Sequence, residues 1–121
     1  MKRTKLFSDE DKKPELKSLS NSILKARQAL NRLSEDYPVY QKIWNIVDRK
    51  LNIMASTLNN NSIPTPEEKN NAHLSLMLAR ECDAIYLDKN NEVNQDLITL
   101  YNIDYEYQSL NTEPNPKKSM R

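Results

Sequence analysis

The sequence contains no glycine, and this absence excludes several classes of functional site. Glycine serves positions where the backbone takes a positive φ or closely approaches a phosphate. P-loops, dinucleotide fingerprints, EF-hand loops and nucleophile elbows all require it at fixed places. Helices joined by proline and asparagine linkers do not require glycine. The sequence therefore predicts an all-α protein and argues against most phosphate-binding and hydrolytic enzymes.

Cysteine and long apolar runs are also scarce. Cys82 is the single cysteine and has no partner for an internal disulfide, which favours a reducing, cytoplasmic location. No apolar run approaches the ~18 residues that a membrane span requires. The basic residues at the start lead into the acidic stretch 8–11 and not into the apolar stretch of a secretory signal. We therefore expect a cytoplasmic protein without a membrane partner.

No set of side chains in the sequence predicts catalysis, a metal or a cofactor. His73, the only histidine, and Cys82 fall on opposite faces of one predicted helix, so they form no dyad. Residues 88–92 imitate the start of a calcium loop, but Val93 stands where that loop needs glycine and Thr99 where it needs glutamate. We expect no enzyme, no cofactor and no metal, with His73 near solvent or a helix cap and Cys82 buried.

Apolar residues recur at helical spacing in four segments, which predict helices at about 14–35, 38–58, 66–87 and 92–110. Pro14 and Pro38 fit the first turns of the first two helices, and Thr65-Pro66-Glu67-Glu68 is a capping box that begins the third. The residues expected to face the core are Leu16, Leu19, Ile23, Ala26, Leu30 and Leu33; Tyr40, Ile43, Trp44, Val47, Leu51, Met54 and Leu58; Leu74, Met77, Leu78, Cys82 and Ile85; and Val93, Leu97, Leu100, Tyr101 and Tyr107.

These four helices and the asparagine-rich linker 59–64 predict two antiparallel helical hairpins, which together form a single-domain four-helix bundle over residues 13–110. The tails 1–12 and 111–121 are expected to be flexible or disordered. A β-hairpin that joins residues 84–87 to a strand beginning near Val93 is the alternative to the fourth helix. The spacing of Leu97, Leu100 and Tyr101 favours the helix, because it fits a period of 3.6 and not of 2.

The charges are unevenly distributed although the net charge is only +1. Residues 81–107 carry seven acidic residues against one basic residue, and tyrosines lie among them. Tyrosine supplies contact area at low entropic cost, and carboxylates steer a cationic partner. This pattern favours a non-enzymatic protein of the immunity, antitoxin or inhibitor type, which occludes a basic protein partner. Its expected partner-binding residues are Asp83, Tyr86, Asp88, Glu92, Asp96, Tyr101, Asp104, Tyr105, Glu106 and Tyr107.

Three alternatives use other features of the sequence. The first is a nucleic-acid-binding accessory module, in which Lys13, Lys17, Lys25 and Arg32 of the first helix contact phosphates. The second is a structural homodimer with Val39, Ile46 and Ile53 as a self-complementary ridge. The third is that the basic first helix and the acidic fourth helix lie side by side and screen each other, which would leave no acidic surface for a partner.

Overall fold

The computed structural model describes residues 2–60 and 62–111, with side chains from Leu16 onward; Met1, Asn61 and residues 112–121 lie outside the described residues. The described residues form five α-helices and two 3-10 turns. The helices are α1 (Lys2–Asp36), α2 (Gln41–Asn59), α3 (Pro66–Ala72), α4 (Ser75–Glu81) and α5 (Gln95–Gln108), and the turns are Pro38–Tyr40 and Asp83–Ile85. Among the described helices, none is both long and apolar enough for a bilayer span.

The helices form an antiparallel bundle in which α1 packs on both α2 and α5, α3 packs on α2, and α4 packs on α5. Side-chain contacts between α1 and α5 show that these two helices run in opposite directions. Arg32, near the end of α1, binds Asp96 near the start of α5, while Ser18 donates to Glu106 near the end of α5. The prediction of an all-α four-helix bundle is confirmed, with α3 and α4 together in the place of the third helix.

Apart from Ala29, the buried apolar residues of the described chain form one cluster that extends from Leu16 to Leu110. Every residue of the predicted stripe on α1 is buried, as are the central residues of the stripe on α2. Trp44 is fully buried and donates its indole N–H to the carbonyl of Tyr37, so its one polar atom keeps a partner. The stripe predicted on the fourth helix omitted Ile103, which the structure buries.

The first helix begins earlier than the sequence predicts. Because residues 2–13 contain neither glycine nor proline, nothing local interrupts the helix, and it begins at Lys2 instead of near residue 14. Pro14 thus lies inside α1 and not in its first turn. The N-terminal tail predicted at 1–12 falls within the range of α1 apart from Met1, while the tail predicted at 111–121 lies outside the described residues after Asn111.

The third predicted helix, 66–87, is divided. Thr65 and Glu68 form the expected capping box at the start of α3, but His73 has extended backbone (φ −63°, ψ 130°) and ends the helix. The chain resumes as α4 because the backbone N–H groups of Leu74 and Ser75 donate to the carboxylate of Asp104 on α5. A distant side chain therefore supplies the hydrogen bonds that a continuous helix would have made internally.

The segment between α4 and α5 combines features of both sequence-based alternatives. Leu87 and Val93 form a single antiparallel bridge, and no longer strand occurs among the described residues. Asn91 takes a positive φ of 66° in this turn, the position that glycine would occupy in another protein. The helix predicted at 92–110 follows as α5, which is shorter because the bridge occupies its first residues.

Candidate interaction surfaces

The structure separates the predicted partner-binding residues into three groups: residues inside the bundle, residues in contact with α1 or within a turn, and residues on the surface. Buried in the bundle are Asp104 and Tyr107. In contact with α1 or in the turn are Asp88, Asp96 and Glu106. On the surface, exposed or half-buried, are Asp83, Tyr86, Glu92, Tyr101 and Tyr105.

Asp104 and Tyr107 act within the bundle. The Asp104 carboxylate, which is 2% exposed, accepts hydrogen bonds from Leu74 N, Ser75 N and Ser75 Oγ at 3.0, 2.9 and 2.6 Å. Tyr107 is fully buried and its hydroxyl lies 2.7 Å from Thr57 Oγ1. Burial raises the pKa of Tyr107, against the hydrogen bond to Thr57, which lowers it. Both side chains therefore lie inside the bundle and not at its surface.

Two further carboxylates contact α1, as the third alternative expected in part. Asp96 accepts a bidentate pair from Arg32, with Nε and Nη2 at 3.0 and 2.9 Å from Oδ1. Glu106 accepts hydrogen bonds from the hydroxyls of Ser18 and Ser22. Only one of these contacts is an ion pair, so the screening of α1 by α5 is local.

Asp88 holds the turn before α5 together. Its Oδ1 accepts hydrogen bonds from Asn90 N and Glu92 N at 2.8 and 3.1 Å, and its own N–H donates to Glu92 O at 2.7 Å. The carboxylate therefore organises the backbone of this turn. Beside it, Asp36, Tyr37 and Asp96 line a cavity of about 230 Å³, and burial together with these carboxylates raises the pKa of Tyr37.

Of the five surface residues, Glu92 belongs to the turn before α5, and the other four form an acidic tyrosine surface, which we define as Asp83, Tyr86, Tyr101 and Tyr105. Tyr105 is 75% exposed and Tyr86 is 42% exposed. Tyr101 and Tyr105 are four residues apart on α5 and so share one side of the helix. Burial raises the pKa of Tyr101, with smaller contributions from Cys82, Asp83 and Tyr86, which shows that these groups lie close to it. Asp83 forms no ion pair with another described residue.

Part of the basic row predicted on α1 is exposed at the surface, as contact with phosphates would require. Lys17 and Lys25 are exposed, whereas the side chain of Lys13 lies outside the described residues. The guanidinium of Arg32 is engaged by Asp96, so its contact with a phosphate would first have to break that pair. The nucleic-acid alternative stays a prediction. Failure to shift either DNA or RNA in a gel at low salt would remove it.

The predicted dimer ridge is not a continuous surface. Val39 is exposed in the turn before α2, while Ile53 is half-buried and packs against the core. Ile46 is also half-buried and lines a groove between α2 and α4, together with Leu76 and Met77. The sequence gives one indication of this groove, because Leu76 is apolar but lies outside the stripe of the third predicted helix that was expected to face the core. The homodimer stays a prediction that the oligomeric state tests.

His73 and Cys82 occupy the environments that the sequence predicts. His73 is the C-cap of α3, and its Nε2 lies 3.9 Å from Asp104 Oδ2. Cys82 is fully buried, and burial raises the pKa of its thiol to about 11. Within the described part of the chain, no three His, Cys, Asp or Glu side chains are arranged to hold a metal ion.

Comparisons of this chain with protein-family models, with curated proteins and with solved structures find no match.

Proposed function

We propose that the protein is a non-enzymatic binding protein that occludes a basic protein partner with its acidic tyrosine surface, in the manner of an immunity protein, antitoxin or inhibitor. The observation that carries this proposal is the exposure of two tyrosines near Tyr101: Tyr86, which lies close to Tyr101, and Tyr105, one turn further along α5. Asp83, also close to Tyr101, is a carboxylate without an ion pair among the described residues. Exposed aromatic rings next to an unpaired charge favour recognition of a partner, because the rings become buried and the charge becomes paired only when the partner binds.

The two kinds of residue have separate roles in this proposal. Tyr86, Tyr101 and Tyr105 supply the area that is buried on binding and so set the lifetime of the complex. Asp83, together with the exposed Glu92 of the neighbouring turn, attracts the partner and so sets the association rate. The proposal no longer includes four of the residues predicted to bind the partner, because their polar atoms form hydrogen bonds within the bundle: Asp96, Asp104, Glu106 and Tyr107.

The test begins with capture of the partner on tagged protein from its native cells, and then measures the kinetics of the purified pair. We expect Tyr105→Ala to raise the dissociation rate by about 30-fold or more, as loss of an aromatic anchor does. We expect Asp83→Asn to slow association and to flatten its dependence on salt. The matched controls are Val39→Ala, an exposed apolar residue elsewhere, and Glu35→Gln, an exposed carboxylate on α1.

Two results would count against the proposal. One is an association rate that stays constant between roughly 0.01 M and 0.15 M salt, where the screening length falls several-fold. The other is a partner whose binding is weakened by the control substitutions as much as by Tyr105→Ala.

A further inference from the structure

A groove of about 550 Å³ separates α2 from α4, on a part of the surface that the acidic tyrosine residues do not line. Its walls are Ile46 and Lys50 of α2 and Leu76, Met77 and Arg80 of α4, with His73 at the end where α3 stops. The groove exists because the helix is divided at His73. The hydrogen bonds from Leu74 and Ser75 to Asp104 draw α4 onto α5 while α3 stays on α2.

The floor of this α2–α4 groove is apolar and open. Leu76 is 64% exposed, and Ile46 and Met77 are half-buried beside it. These side chains come from two helices that pack elsewhere, so neither helix covers the apolar surface of the other here. An apolar cleft between two helices matches the shape of a third helix, whose side chains at positions i, i+3 and i+4 fit such a cleft.

The rim of the groove is cationic. Lys50 donates its Nζ to the carbonyl of Asn71 at 2.8 Å, which fixes the ammonium group beside the groove. Arg80 pairs with the adjacent Glu81 at 3.5 Å, but the two side chains are 65% and 45% exposed, so solvent screens this ion pair. None of the described residues that line the groove is Asp or Glu. The electrostatic complement of this surface is therefore negative.

We propose that the α2–α4 groove binds an acidic amphipathic helix of a partner protein, with the apolar face of that helix on Ile46, Leu76 and Met77 and its carboxylates at Lys50 and Arg80. A second copy placed by two-fold symmetry fits less well, because it would set the two cationic rims against each other. A nucleic acid would satisfy the cations but leave the apolar floor in water. This site is independent of the acidic tyrosine surface and has the opposite charge.

The probe for this site is a fluorescein-labelled peptide of about 18 residues, with leucine at helical i, i+3, i+4 and i+7 positions and glutamate on its polar face. One matched peptide carries lysine in place of every glutamate, and another has the same composition with the leucines dispersed. Binding to the whole chain is followed by anisotropy at low salt and by ¹⁵N amide shifts. We expect the acidic amphipathic peptide alone to bind, with shifts at Ile46, Leu76, Met77 and Arg80.

Paired substitutions then test the residues. Leu76→Asp and Arg80→Glu should each weaken the peptide at least about tenfold. Leu24→Asp makes the same change as Leu76→Asp, and Lys25→Glu makes the same reversal of charge as Arg80→Glu, both at exposed positions on α1, and neither should change affinity. Because all four residues are exposed, the variants should fold, and an unchanged circular dichroism melting curve verifies this.

The proposal is overturned if no peptide binds at about 1 mM, the weak limit of such assays, or if the α1 controls weaken binding as much as the groove variants. It is also overturned if the amide shifts map to the acidic tyrosine surface. If single-stranded RNA or duplex DNA binds the groove more tightly than the acidic peptide does, the groove is a nucleic-acid site and the proposal is wrong. Loss of the free groove on self-association of the chain would make it a contact between copies.

Discussion

Replacement of Asp104 by asparagine should destabilise the protein far more than the loss of one charge elsewhere. The Asp104 carboxylate is buried and accepts two backbone N–H groups and one hydroxyl, at 2.6 to 3.0 Å. Hydrogen bonds to a charged acceptor contribute about 1.5–3 kcal/mol each. Asparagine keeps one acceptor oxygen, but it turns an NH₂ group toward donors that then have no acceptor. We expect Asp104→Asn to lower the free energy of unfolding by about 3 kcal/mol.

The matched control is Asp83→Asn, an identical chemical change at an exposed position without an ion pair to another described residue. Its effect should stay within about 0.5 kcal/mol. Urea unfolding followed by the fluorescence of the buried Trp44 measures both variants. For a chain of this size, a loss of about 3 kcal/mol corresponds to a fall in Tm of roughly 10 °C.

The effect of Asp104→Asn should also be local in the native state. Hydrogen exchange should accelerate first at the amides of Leu74 and Ser75 and along α4, because their acceptor has been lost. This role of Asp104 is refuted if Asp104→Asn lowers the free energy of unfolding by less than about 1 kcal/mol, or if hydrogen exchange in α4 stays as slow as in the wild type. Either result would mean that packing, and not this carboxylate, holds α4 on α5.

Three further predictions concern single residues. Because burial raises the pKa of the Cys82 thiol from 9.0 to about 11, the unfolded chain loses that proton first. Stability should therefore fall between about pH 9 and 11, and Cys82→Ala should flatten that part of the profile in chemical unfolding. Thr65→Ala removes the side chain that accepts from Glu68 N at 3.1 Å, and should cost about 1 kcal/mol by the same assay; no change would contradict the capping box. Asn91→Gly should raise Tm, since glycine adopts a φ of 66° without strain, and a lower Tm would show that Asn91 contributes a contact of its own.

The functional residues show where prediction from sequence succeeds and where it stops. Tyr86 and Tyr105 are exposed, as expected of partner-binding residues. Tyr101 and Tyr107 were assigned by the sequence both to the core stripe and to the partner surface, and the structure leaves Tyr101 half-buried and Tyr107 fully buried. Composition describes which residues can serve at an interface, but rotation of α5 against its neighbours decides which of them face outward. The α2–α4 groove was not predicted, because its residues come from separate helices that only packing brings together.

Sequence alone determined the features that depend on neighbours a few residues away. The apolar stripe from Leu16 to Leu33, the end of α1 before Pro38 and the capping box at Thr65 all follow from helical spacing and local hydrogen bonds. Tertiary structure alone decided the division after His73 and the burial of Asp104, because the two halves of that contact lie 30 residues apart. A buried carboxylate is stable only when hydrogen-bond donors surround it. The donors to Asp104 come from a distant part of the chain, and the periodic spacing of apolar residues does not indicate where they will lie.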